Sequence, residues 1–217
     1  MDINALEKEI AIITKELLRT GVCDAPNYPI ILSGNKYNDL VFSGFKDVSI
    51  ALKDVEYSVV HKYLDENKQY NMKLVDGALI QFMYRFDRRG ILDKHRLCYF
   101  PSPNFEPFQN MSELYMDEGC LYADITAKEI IPVPVRVDYD PDNHTEVTHP
   151  KSHITFGQYK NCRIPVVSPL CPVTFINFIL SSFYNTAYIE LELRRKVYRF
   201  ENSITENEQK ILHFSIS

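Results

Sequence analysis

The chain has 217 residues, 45% hydrophobic and 24% charged, which is enough apolar material for one ample core, and a single domain spanning 1–217 is expected. A formal net charge of -5 excludes passive wrapping of nucleic acid by overall charge, which needs many phosphate-neutralising cations, and leaves a local basic groove as the electrostatic route. Five cysteines without a Cys-x-x-Cys pair, and an N-terminus too acidic for a signal peptide, point to a reducing cytoplasm; no run approaches the roughly 18 apolar residues that span a bilayer.

Ile3, Leu6, Ile10, Ile13, Leu17 and Leu18 recur at helical spacing, with Glu7, Lys8, Glu9 and Lys15 outward and Gly21 as the stop. Residues 25–38, with Pro26, Pro29 and Gly34, read as an irregular connector. A brief strand is expected over 48–52. Asp54 then caps a helix to about residue 66, whose stripe is Val55, Val59, Val60, Tyr63 and Leu64, with His61 exposed or structurally bonded rather than a ligand.

In the next segment Ile80, Phe82, Tyr84 and Phe86 alternate with Gln81, Met83 and Arg85, which is strand periodicity. The turn Asp87-Arg-Arg-Gly90 returns the chain into a second strand, so residues 70–100 form a long hairpin at the centre of the sheet. Arg88, Arg89, Lys94, His95 and Arg96 on it read first as a solvated hairpin face and second as phosphate contacts.

Ten of the twelve prolines lie between residues 101 and 172, which excludes long helices there and predicts short strands at 121–125, 130–139, 154–156 and 162–167. Residues 172–184 read as a buried helix with Phe175, Ile179 and Phe183 on one stripe, followed by a break near Asn185. A charged extension over 191–199 carries Arg194, Arg195, Lys196 and Arg199 outward. Ser203-Ile-Thr-Glu206 has capping-box spacing, and 211–216 is a last turn or an edge strand. The order defines an α+β fold: an antiparallel sheet built on a long central hairpin and packed by N-terminal and C-terminal helices.

The chemistry concentrates in Arg136-Val-Asp-Tyr-Asp140 and His149-Pro-Lys-Ser-His153. A strand here sends Val133, Val135, Val137 and Tyr139 to one face and Arg136, Asp138 and Asp140 to the other. No phosphate-binding glycine loop, dinucleotide fingerprint, nucleophile elbow or His-Glu-x-x-His is present, so ATP hydrolysis, dinucleotide redox and serine-hydrolase chemistry lose support. Three readings remain. Asp138, Asp140, His149 and His153 hold a divalent metal, which the residues permit without requiring; or the two histidines act as acid and base while Arg136 or Lys151 balances a pentacovalent phosphate. In the third, Arg136 pairs with an aspartate and the histidines bond loop carbonyls, a purely structural role. The catalytic candidates are therefore Arg136, Asp138, Asp140, His149, Lys151 and His153, and the substrate-binding candidates Arg88, Arg89, His95, Arg96, Lys160 and Arg163. Because sequential strands usually become neighbours, His95 and Arg96 are expected to open toward His149 and His153.

Those two segments, together with Asp76-Gly-Ala-Leu-Ile-Gln81, His95-Arg-Leu-Cys-Tyr-Phe-Pro-Ser-Pro103 and Gln158-Tyr-Lys-Asn-Cys-Arg-Ile-Pro165, resemble a bacterial family filed as a conserved domain of unknown function. The resemblance runs from about residue 57 to 184 and implies no activity. In order and residue type the chain is also loosely similar to small toxins of toxin–antitoxin pairs. The functional expectation is a bacterial defence or toxin-type effector that cleaves RNA or DNA at the Arg/Asp/His cluster. The alternative is a non-catalytic subunit whose Tyr- and Phe-rich surface docks a partner protein of the same operon, since aromatic residues are enriched at interface cores.

Overall fold

The computed structural model describes residues 2–47, 55–103, 133–159, 161–190 and 198–215. Helix α1, Ile3–Arg19, begins where Asp2 accepts the Ala5 amide at 2.8 Å. It ends at Gly21, whose φ of 72° lets the Gly21 and Val22 amides donate to the Leu18 and Leu17 carbonyls at 3.1 and 3.0 Å. The buried stripe is Leu6, Ile10, Ile13 and Leu17, joined by Glu9, which was expected on the outer face.

Residues 25–38 are not an irregular connector. They contribute to three strands, β1 Cys23–Pro26, β2 Pro29–Ser33 and β3 Tyr37–Phe42. The prolines are tolerated because β1 pairs with β4 (Met72–Leu74) and β2 with β3, each leaving one edge outside the ladder where a missing amide costs nothing. Helix α2, Tyr57–Glu66, has Glu56 at its N-cap position. Its expected cap, Asp54, and the 48–52 strand lie outside the described residues.

The 70–100 hairpin is two-stranded only in its second part. β5, Leu79–Asp87, pairs with β6, Leu92–Phe100, from Leu79 against Phe100 to Phe86 against Leu92. Ahead of it the chain folds back at Gly77, φ 83°, so that β4 is a separate strand with Met72 opposite Ile80. β7, Val135–Tyr139, β8, Ser152–Phe156, and β9, Ile164–Pro165, complete an antiparallel order β1-β4-β5-β6-β7-β8-β9. β3 lies beside the C-terminal half of β5, with β2 outside it. Helix α3, Pro172–Phe183, and a short α4, Asn185–Glu190, meet at Tyr184, where the expected break falls. The strands expected at 121–125 and 130–132, and Arg194, Arg195 and Lys196, lie outside the described residues.

Strand alternation sorts the sheet into two faces. Phe82, Tyr84, Leu97, Tyr99, Val135, Val137 and Ile154 join α1 and α3 in the main core. On the other face Leu79 and Phe100 pack under Val60 and Leu64 of α2, and that cluster covers one end only. The rest of the second face carries Gln81, Met83, Arg85, Lys94, Arg96, Cys98, Arg136, Asp138, His153 and Thr155, as the registers place them. No helix among the described residues is long and apolar enough to cross a membrane.

The capping box forms two residues later than its spacing suggested. The Thr205 amide donates to Glu208 Oε2 at 3.0 Å and the Glu208 amide to Thr205 Oγ1 at 3.3 Å, at a short 3-10 turn, Glu208–Lys210. Ser203 instead bonds Ser152. Glu208 wins because its fully buried carboxylate also serves His144 and the Val147 amide.

Candidate functional site: an arginine-lined cavity with a histidine pair

Asp138 is the hub, because β7 lies between β6 and β8 and its register sets Arg96 on one side of Asp138 and His153 on the other. Arg96 Nε donates to Asp138 Oδ1 at 3.0 Å. Arg136, two residues along the same strand face, brings its Nε to 2.6 Å from Oδ2 with the N–H not aligned on the oxygen, so that contact is one of charge rather than a directed hydrogen bond. His153 Nε2 lies 3.6 Å from the same oxygen. Burial alone would raise the Asp138 carboxyl; Arg136, Arg96 and His153 outweigh it and hold the group below the usual carboxylate range. The aspartate is buried while the two arginine side chains that contact it remain 44% and 43% exposed.

His153 is 2% exposed and its Nδ1 lies 2.9 Å from the Pro150 carbonyl, which makes Nδ1 the donor and leaves Nε2 as the basic nitrogen. Burial lowers its pKa from the ordinary value, with Asp138 opposing. The half-buried His149 ring stands 5.0 Å away, centroid to centroid. A tight turn delivers it: the Thr145 amide donates to the His149 carbonyl at 3.0 Å and the His149 amide returns to Thr145 at 2.7 Å. Between them Val147 sits at φ 68°, a costly conformation for a β-branched residue, with its amide held by Glu208 at 3.4 Å.

The open part of the second face is a cavity of about 680 Å³ that includes Arg96, Arg136, Asp138, His149, His153 and Arg163 in its lining. Its described lining carries six Lys or Arg (with Lys46, Arg85 and Lys94) against four Asp (with Asp39, Asp47 and Asp140), so an acidic chain concentrates a positive excess here. Asp39 accepts Arg85 Nε at 2.7 Å, and Lys94 lies 3.0 Å from Asp140 and 3.2 Å from Asp142. Neither Asp39 nor Arg85 was singled out from the sequence, although the Gln81, Met83, Arg85 alternation already placed Arg85 on the polar face.

The other candidates do not open into the cavity, although His95 is among the residues around it. Expected to open toward the histidines, His95 instead faces the main core, because it and Arg96 are consecutive in a strand and must point to opposite faces. Its Nε2 accepts the Leu170 amide at 3.1 Å, and burial pushes its pKa down to about 4. Arg88 donates to the Gly34 and Asn35 carbonyls and braces the β2–β3 turn, while Arg89 pairs with Asp87 at 2.9 Å. Both lie outside the cavity lining, as does Lys151, whose carbonyl accepts the Asp140 amide at 2.8 Å. Lys160 is outside the described residues. Asp138 and Asp140 do not converge as a ligand pair, since guanidinium groups face the first and Lys94 the second. No group of three or more His, Cys, Asp or Glu among the described residues is placed to hold a metal ion.

The fold and cavity define an α+β protein with a pocket on one sheet face whose described lining holds more cationic than anionic side chains. The chain belongs to the family described as uncharacterized conserved protein DUF2290, whose model matches residues 22–216 and thus β1 through the C-terminal segment. No curated protein and no solved structure matches.

Proposed function

We propose that the chain cleaves phosphodiester bonds in RNA without a metal, as a toxin- or defence-type effector, with Arg96 and Arg136 holding the phosphate and the two histidines exchanging protons. The observation that carries this reading is the pair of imidazoles whose ring centroids lie 5.0 Å apart beside two partly exposed arginines, with the buried ring fixed as an Nε2 base by Pro150. In the step, the ribose 2′-oxygen gives its proton to His153 Nε2 at the cavity floor as it attacks phosphorus. The bond from phosphorus to the 5′-oxygen breaks, and protonated His149 gives a proton to that departing oxygen. The products are a 2′,3′-cyclic phosphate and a 5′-hydroxyl. Asp138, 3.6 Å from His153 Nε2, favours the imidazolium that forms, and the arginines offset the charge that builds on the phosphate oxygens.

RNA incubated with the protein in excess chelator should be cut to fragments ending in cyclic phosphate, at the rate seen with added Mg²⁺, and DNA of the same sequence should survive. Absence of RNA cleavage, or cleavage that chelator abolishes, overturns the reading.

A further inference from the structure

The cavity has two chemically different ends. Arg96, Cys98 and Phe100 follow one another on the same face of β6, with Arg136 opposite Cys98, so at a strand rise of about 3.4 Å per residue the Phe100 end lies about 7 Å from the level of Arg136 and about 14 Å from that of Arg96. At the far end the walls are Phe45 and Phe100, both half-buried, and Tyr57 of α2. Phe45 is fixed edge-on against Phe42 at 5.4 Å, and the Tyr57 hydroxyl donates to the Pro101 carbonyl at 2.5 Å, so both rings are held. Gln81, whose Nε2 donates to the Gln69 carbonyl at 2.6 Å, adds a polar edge between the ends.

A cationic site at Arg136 and a pair of fixed aromatic faces about 7 Å further along the strand match the phosphate and the base of a single nucleotide. The volume of about 680 Å³ lies in the range of small-ligand sites, roughly 300–1,000 Å³. A base inside a duplex is stacked on both faces and cannot enter between the sheet and α2, whereas an unpaired base can be splayed out onto aromatic rings. We infer that the cavity takes one nucleotide unit of single-stranded RNA, its phosphate on Arg96 and Arg136 and its base among Phe45, Tyr57 and Phe100. The RNA part of this assignment rests on the proposed function; the two-ended pocket does not.

Titration calorimetry with inorganic phosphate and with the four ribonucleoside monophosphates reads the two ends separately. Monophosphates should bind at least tenfold more tightly than phosphate. Phe45→Ala and Phe100→Ala should remove that preference while leaving phosphate binding within twofold, and Arg96→Gln with Arg136→Gln should weaken both ligands. Phe45→Leu, which keeps apolar volume without the ring, guards against mere loss of fold and should also lose the preference. Single-stranded RNA should displace the bound monophosphate, and its duplex should not. Equal affinity for phosphate and monophosphate, a preference that survives all three phenylalanine variants, or equal competition by duplex overturns the assignment. A protein that binds in this pattern yet cuts no RNA loses the cleavage reading and keeps the pocket. One that cuts RNA with no monophosphate preference loses the pocket assignment alone.

Discussion

Asp138 illustrates how one residue decides between neighbouring options. Its carboxylate is buried, which disfavours charge, yet two guanidinium groups and an imidazole surround it and keep it ionised. Asp138→Ala removes the counter-charge of both arginines at once. Because their side chains are nearly half exposed, solvent takes up much of that loss, and the expected destabilisation is about 2 kcal/mol rather than the larger values of fully buried pairs. A urea midpoint series checks it, and an unchanged midpoint would mean that the arginines are held by something other than Asp138. Cys98, on the same face between the two arginines, is no nucleophile: burial pushes its thiol up to about 12, so thiolate is scarce at neutral pH.

Among elements, the turn carrying His149 depends on a distant segment. Glu208 accepts from the Val147 and Thr205 amides and meets His144, so one buried carboxylate ties the 3-10 turn to the loop ahead of β8. Glu208→Ala leaves those groups unpaired and is expected to cost about 2–3 kcal/mol. Val147→Gly removes the left-handed penalty of about 1–2 kcal/mol, partly offset by chain entropy, so its melting temperature should hold or rise. Thermal melts of both variants decide, and a clear drop for Val147→Gly would show that the isopropyl group, not the backbone, sets the turn. This coupling was illegible in the sequence because Glu208 and Val147 are 61 residues apart and no local pattern links them. What was legible is what a two-residue period controls: the polar face with Arg136 and Asp138, the apolar face with Val135 and Val137, and the approach of β7 to β6. The same period already placed His95 opposite Arg96. Grouping them by composition obscured that, as grouping Pro26 and Pro29 with loop residues obscured β1 and β2.

For the whole molecule, burial of histidines makes stability depend on pH. In the unfolded chain His95 titrates near 6.5, and in the folded chain only near 4. Below pH 6.5 the unfolded state therefore binds a proton that the folded state refuses. Stability falls toward pH 4 by about 3 kcal/mol from this residue and is unaffected by it above neutrality. His153, also lowered, acts in the same sense. Asp76 acts oppositely, because burial raises its carboxyl and the folded state protonates first. His95→Gln isolates the histidine: it should flatten the decline between pH 7 and 4.5 in urea titrations, and a variant as steep as the wild type would contradict the assignment.

The central claim is that the histidine pair performs proton transfer at the arginine cavity rather than merely bracing it. His149 is the residue on which to test this, since it is half-buried and is not one of the groups paired with Asp138, which are Arg96, Arg136 and His153. The measurement is the single-turnover rate of RNA cleavage in chelator for wild type and His149→Ala, with the folded fraction of each read by circular dichroism. A loss of at least about 100-fold, the usual worth of a general acid or base, is expected in a variant as fully folded as the wild type. A variant that retains the wild-type rate, or whose loss merely follows its unfolded fraction, would contradict it.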